Sequence, residues 1–459
     1  MGFIAGRRHN SIAVAFTFVF VLVGLLMLPA TMQAQITRGA IAGTVRDASG
    51  GVVPGATVTI TNTETNIARS AVTDDKGFYR IGALEPGNYN VVSELAGFST
   101  STVTNVLVRS ANEVTIDVEL KVAGLGEQVT VTGESKSMEL NKTNPTISNT
   151  LNTRAVEQLP LPGGRNVNNL IATSPNVTST GGQGTYAANG QRSRNNNYMI
   201  DGSDNNDISV TISTTPVVPE AIAEFQVITN PYSVEFGRNS GAQVNIITKS
   251  GTNRFRGDAW DYYITSDLYS LTNIEKANGL TEPARFNRHQ AGFDIGGPVL
   301  KDKMFFYGLF QWDGQRPGAA PSTTTVRIPT PAGFAALQNV PLGAGQTASS
   351  RADVLARIAF LQDIYANATL RNFQNQTVNG RAIETAQTNV SYVSPSTYKS
   401  YIARVDHRLT SSDNITVRYT YTPREDINGI SNCAFGALFC GNQTLLDTNL
   451  AASNTHIFT

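Results

Sequence analysis

Beyond Asn253 the chain runs in alternating segments whose connections are in turn long and short, and that order restricts its possible folds more than any other feature. Successive residues of a strand point to opposite faces. One segment sets Ala291, Phe293 and Ile295 on one face and ends at the tight turn Leu300-Lys301-Asp302-Lys303; the next carries Met304, Phe306, Gly308, Phe310 and Trp312 on one face. After a long, polar, proline-spotted connection from Gln315 to about Thr397, Tyr401, Ala403, Val405, His407 and Leu409 alternate with Ile402, Arg404, Asp406 and Arg408. The turn Thr410-Ser411-Ser412-Asp413-Asn414 is short, and the following strand sets Ile415, Val417, Tyr419 and Tyr421 against Thr416, Arg418 and Thr420. A first strand near Arg254 to Tyr263, followed by a long connection to about Arg288, and a last long connection complete the series. A barrel that crosses an outer membrane has short periplasmic turns and longer outer loops. The parity therefore predicts membrane-crossing strands, apolar toward lipid and polar toward the lumen, with Trp260, Tyr262, Trp312 and Tyr421 near strand ends where aromatic girdles sit. A soluble sandwich with unequal hairpins is the alternative.

The N-terminus supports that direction. Arg7, Arg8 and His9 precede an apolar run from Ile12 to Leu28, and Pro29 to Gln35 follows, the three-part layout of a secretory signal peptide with cleavage expected between Ala34 and Gln35. An uncleaved anchor is the alternative reading of the same run. No other stretch is apolar enough for a transmembrane helix, so a membrane-embedded mature chain must cross as strands. Composition agrees: charged residues are 15% of the chain, below the ~25% of ordinary soluble domains, and 40 glycines favour strands and turns.

Between Ile36 and about Lys121, Ala56-Thr57-Val58-Thr59-Ile60-Thr61 and Val114 to Leu120 alternate as half-buried strands. Asp47-Ala48-Ser49-Gly50-Gly51, Asp74-Asp75-Lys76-Gly77 and Glu85-Pro86-Gly87 supply the turns of an all-β sandwich of about seven strands. The stretches GTVRDASGGVVPGATVTITN, TDDKGFYRIGALEPGNYNVV and AGF resemble the carboxypeptidase regulatory-like domain. That resemblance implies a transthyretin-like sandwich, sometimes carbohydrate-binding, with no peptidase site. Phe78, Tyr79, Tyr89 and Phe98 could stack on a sugar or fill a small core.

Val122 to Gly126 loosens the backbone before Glu127, Gln128, Val129, Thr130, Val131, Thr132 and Gly133. Such a β-prone segment can pair with a partner by strand addition, or form the last strand of the sandwich. EQVTVTG resembles the TonB box of outer-membrane receptors. Downstream, GGRNVNNLIATSPNV, NGQRSRNNNYMIDGSDNND and EAIAEFQVITNPYSVEFGRNSGAQVNIITKSGTNRFRG resemble the plug of TonB-dependent receptors, especially the Oar-like group. RHQAGFDIGGPVLKDKMFFYGLFQWDGQR and YIARVDHRLTSSDNITVRYTYT resemble the opening barrel strands of the same group. Val167 to Ile171 reads as a short amphipathic turn limited by Pro175; Val244 and Ile246 alternate with Gln243 and Asn245 in a strand. A plug inside a polar lumen is expected to be wet on most of its outside, which abundant Asn, Gln, Ser and Arg suit.

The chain is therefore expected to be mainly β: a signal peptide (1–34), a transthyretin-like β-sandwich (36–121), a linker with the box-like segment (122–136), an α+β plug (137–252), and the first strands of an incomplete transmembrane β-barrel (253–459). Receptors of this class use roughly 22 strands, so the sequence reads as the N-terminal part of a longer receptor or as a truncated gene product. The resemblance implies residence in the cell outer membrane among its lipids, a TonB-type energy-coupling partner, and uptake of a large solute such as a siderophore, glycan or peptide. The alternative is a barrel-anchored surface adhesion or carbohydrate-binding protein. Lysine plus arginine and aspartate plus glutamate number 35 each, so no basic field gathers nucleic acid. No enzyme, cofactor or metal chemistry is expected. His9, His289, His407 and His456 form no ligand pair, and no nucleophile and base are grouped. Asp201, Asp204 and Asp207 lack the ligand spacing and distal glutamate of a calcium loop. Cys433 and Cys440, in the loop after the fifth strand, can form a disulfide after export or remain free thiols.

Overall fold

The computed structural model describes residues 37–122, 129–132, 147–161, 165–180, 185–208, 212–230, 239–268, 270–271, 273, 276, 282–283, 286–317, 322–366, 368–392, 395–427 and 441–457. The signal segment with Ala34 and Gln35, the box-like residues Glu127, Gln128 and Gly133, and both cysteines lie outside them.

The first unit packs two sheets. Strands β1 (Gly39–Asp47), β2 (Thr57–Asn62), β3 (Ala68–Val72), β4 (Phe78–Leu84), β5 (Gly87–Glu94), β6 (Ser101–Val108), β7 (Glu113–Thr115), β8 (Val118–Leu120) and β9 (Val129–Thr132) form it. One sheet has the order β4-β1-β7 with β8 also on β1, and the other runs β3-β2-β5-β6-β9. The inward positions of the alternating runs, among them Ile41, Val45, Val58, Ile60 and Leu120, are fully buried between the sheets. Asp47 and Asp74 build the turns by accepting backbone N–H groups two and four residues on, at 2.8–2.9 Å. These bonds, with that from the Ser49 hydroxyl first, hold the Asp47 carboxyl below its ordinary range. The single strand expected from Val114 to Leu120 is two short ones. Between them Ile116 crosses so close to Gly43 that a Cβ there would stand 1.8 Å from the Ile116 carbonyl oxygen. The same carbonyl accepts the Tyr79 hydroxyl at 2.8 Å, in a buried setting that pushes the phenol's pKa up. Tyr79→Phe is expected to cost the sandwich about 1 kcal/mol in denaturant unfolding, because it removes the hydroxyl from a part-buried carbonyl. A loss below a few tenths would show that the bond contributes nothing.

The second unit, the plug, contains β10 (Ser148–Asn152), α1 (Thr153–Gln158), a 3-10 helix (Val167–Thr173), β11 (Val177–Ser179), β12 (Tyr186–Ala188), β13 (Asn197–Ile200), β14 (Ser203–Asp204), β15 (Ile222–Ile228) and β16 (Gln243–Thr248). Its main sheet has the order β10-β15-β16-β13-β14. The amphipathic turn forms as expected, burying Val167, Leu170 and Ile171. All six residues of β16 are buried, so its polar alternates do not face bulk water. Many asparagines likewise work inside the plug. Asn205 bonds Ser213 and the backbone of Thr215, and Asn196 bonds the Tyr186 carbonyl and the Ala242 N–H. A chain wedged against a wall must satisfy its backbone internally, and short amides do so.

The third unit holds β17 (Ala259–Thr265), β18 (Phe286–Leu300), β19 (Met304–Pro317), β20 (Ser322–Pro329), α2 (Pro331–Gln338), α3 (Ala348–Ile364), β21 (Arg371–Val378), β22 (Arg381–Tyr392), β23 (Ser396–Arg408), β24 (Asp413–Asp426) and β25 (Gln443–His456). Six of them form one antiparallel sheet in the order β17-β18-β19-β23-β24-β25. The tight turns fall between β18 and β19 and between β23 and β24, matching the short members of the expected series. Strands β18, β19 and β24 have 15, 14 and 14 residues, longer than the ~9–11 that a bilayer needs, so their ends project beyond it. The connection expected to be merely polar between β19 and β23 is folded. It has a small sheet β20-β22-β21 and two helices, with Ile328, Phe334, Ile383 and Ala386 buried. Its second helix starts at a capping box in which Thr347 and Ser350 exchange side-chain and backbone bonds. No helix among the described residues is long and apolar enough to cross a membrane, which does not bear on strands.

Candidate functional site

The alternation of the six-stranded sheet sorts its side chains to two environments. On β24, Thr416, Arg418, Thr420 and Thr422 are buried on one face, where Arg418 meets the plug, while Val417 and Tyr419 are 39% and 44% exposed on the other. On the outer face an aromatic row crosses four strands. Phe293 meets Phe310 at 5.9 Å, Phe310 meets Tyr401 at 5.0 Å and Tyr401 meets Tyr421 at 5.7 Å between ring centroids, each pair in cross-strand register. Trp260 and Tyr262 do not join a girdle. Trp260 donates to Gln311 at 3.0 Å and packs against the plug core, and the Arg165 guanidinium of the plug lies 3.7 Å over the Tyr262 ring. The strand starts later than expected, at Ala259, and its register places both rings inward.

Plug and wall meet at buried ion pairs. The turn after β13 carries Asp201 at φ 49°, in the left-handed region that Asp tolerates better than most residues. It presents its carboxylate to Arg404 on β23 at 3.2 Å and to Arg418 on β24 at 2.7 Å. Those two arginines are direct cross-strand partners. They are 5% and 0% exposed. Asp406 pairs with Arg404 at 2.9 Å, so two guanidinium and two carboxylate groups balance. Neutral partners complete the cluster: Thr248 donates to Asp201 twice at 2.8 Å, and Arg418 donates to the Ile200 carbonyl at 3.2 Å and to Asn449 at 2.9 Å. Two more bridges flank it. Arg165 pairs with Glu220 at 2.6 Å within the plug while covering Tyr262, and Lys249 lies 3.6 Å from Asp294 of β18, which also accepts the Tyr307 hydroxyl at 3.0 Å. Parting a buried pair by removing one partner is costly, because it leaves an uncompensated buried charge.

The sequence marked Arg404 and Arg418 as lumen-facing and weighed Asp201 only for calcium; its partners are arginines more than 200 positions away. The available signal was two lumen-facing arginines on adjacent strands, which require an anion between them. Among the described residues no group of His, Cys, Asp or Glu could hold a metal ion. Tyr79 and Tyr89 are core residues at 1% and 4% exposure, Phe98 packs beside them, and Phe78 remains 43% exposed. Val129–Thr132 lies parallel to β6, Ser101 opposite Val129 through Thr104 opposite Thr132, as the last strand of its sheet.

Comparisons with known proteins follow this division. Family models described as carboxypeptidase regulatory-like domain, TonB-dependent receptor plug domain and outer membrane beta barrel domain match residues 40–121, 142–244 and 247–459. The TonB-dependent transporter Oar of Myxococcus xanthus is 29% identical over 304 residues, covering 64% of this chain and 28% of that protein. Among solved structures, the siderophore receptor PirA from Acinetobacter baumannii overlaps 68% of this chain and 38% of its own, at 13% identity and a TM-score of 0.40. A ferric enterobactin receptor mutant from Pseudomonas aeruginosa overlaps 69% and 39%, at 12% identity and a TM-score of 0.40.

Proposed function

We propose, from the premise that this chain belongs to the TonB-dependent receptors of the outer membrane, that it takes up a large solute when an energised TonB-type partner draws the plug away from the wall. The observation that carries the reading is Asp201 held between Arg404 and Arg418, a charge-balanced latch between plug and barrel. The partner grips the segment Glu127 to Gly133 by strand pairing, and the pull parts the latch. The solute, a siderophore, glycan or peptide, is met outside by the loops and the folded insert between β19 and β23. No covalent step is involved. Export with cleavage after Ala34, and a bridge between Cys433 and Cys440, belong to the same reading.

Deleting residues 127–133 from the full-length receptor is expected to leave surface binding of a labelled solute intact and to reduce its uptake to the background of cells lacking the receptor. A panel of ferric siderophores, oligosaccharides and peptides supplies the solutes. Undiminished uptake by the deletion variant would overturn the proposal.

A further inference from the structure

Buried hydrogen bonds join sandwich and plug at Ser110, beyond the end of the strand that holds the box-like segment. Strand β6 pairs with β9 along residues 101–104 and ends at Val108. Ser110, two residues on, is fully buried. Its N–H and hydroxyl both donate to the Glu224 carboxylate of plug strand β15, at 2.9 and 2.7 Å, and its carbonyl accepts from Gln226 of the same strand at 3.1 Å. The next residue, Ala111, has φ 52° and packs on Met199 and Ile228 of the plug. This tongue is framed from behind: the Ala111 N–H donates to the Arg38 carbonyl and the Ala40 N–H to the Asn112 carbonyl. At Gly39 a Cβ would stand 2.5 Å from the Arg109 carbonyl oxygen, so the start of β1 presses directly on the tongue. Strand β15 lies inside the plug sheet between β10 and β16, whereas β10, the plug's first strand, is at the sheet's edge.

We propose that the sandwich is a load-bearing adapter, passing the partner's grip on Val129–Thr132 through β6 and the Ser110–Glu224 joint to plug strand β15. The inference rests on the functional reading above. Load applied at β9 acts on the β6 ladder that holds it along residues 101–104. It then enters the plug at an interior strand, next to β16, whose Thr248 touches both Asp201 and Arg404. Burial raises the Glu224 carboxyl pKa, opposed by the two Ser110 hydrogen bonds.

The test is single-molecule pulling on the full-length receptor in a lipid bilayer, with the purified periplasmic domain of the cell's TonB-type protein on the tip. The unaltered receptor should show an early rupture before the extension that marks plug withdrawal. Glu224→Ala should lose the early rupture while the later extension persists, and Glu224→Gln, which keeps an acceptor for Ser110, should retain it. Ser110→Ala serves as a milder second variant and should weaken the early rupture. In the unloaded receptor, hydrogen exchange at Ser110 and Ala111 should rise about tenfold in Glu224→Ala, the equivalent of one lost hydrogen bond to a charged group. An early rupture unchanged by Glu224→Ala overturns the adapter while leaving the receptor reading in place. A tip that never grips the receptor overturns both.

Discussion

Asp201→Asn will loosen the plug at a cost of about 3–5 kcal/mol, the range for breaking a buried ion pair from one side. Asparagine has nearly the same shape and tolerates the left-handed backbone at φ 49°, so the turn itself should survive while the charge and one of two acceptor oxygens are lost. Asp406 continues to neutralise Arg404 at 2.9 Å. Arg418, fully buried, is left with neutral acceptors only: Thr420, the Ile200 carbonyl and Asn449. Like charges directly across two strands repel, and the carboxylate that both arginines shared is gone. The measurement is limited proteolysis of the plug in the membrane-inserted receptor, together with bilayer conductance, both of which should increase. Combining Asp201→Asn with Arg418→Met removes one charge of each sign and should recover most of the loss. A single variant that digests and conducts like the parent would show that the cluster is no latch.

Tyr419→Arg is expected to destabilise the inserted barrel by about 2–4 kcal/mol, the cost of a cation on the lipid face near the midplane. Tyr419 lies in the middle of β24, beside Ala403 and Leu450 on the outer face. The position before it already carries an arginine, Arg418, which is accommodated because it points inward to Asp201. The contrast separates face from residue type. Unfolding in lipid vesicles and heat-modifiable electrophoresis supply the measurement. A change within about 0.5 kcal/mol, usual for an exposed site on a soluble protein, would mean that water rather than lipid bathes that face.

Much of the fold was legible because it is local. The turns at Asp47 and Asp74, the 3-10 helix over Val167–Thr173 and the two tight hairpins of the barrel sheet each depend on neighbours within a few residues. Expectations failed where a distant surface intervened. Trp260 and Tyr262 were assigned by nearness to a strand end, but the register and the plug draw them inward. The polar alternates of β16, Gln243 and Asn245, read as one face of a half-wet strand, yet both faces of the strand are buried. The insert between β19 and β23 read as loop because its polar surface outweighs a small core around Phe334 and Ile383.

The amino-acid sequence by itself determined which side chains of β18, β19, β23 and β24 share a face, since a period of two is a property of the extended backbone. Only the tertiary structure decided that Asp201 meets Arg404 and Arg418 and that Ser110 meets Glu224. Charge pairing depends on which turn a register brings within a few ångströms, and no local pattern encodes a partner 114 or 203 positions away.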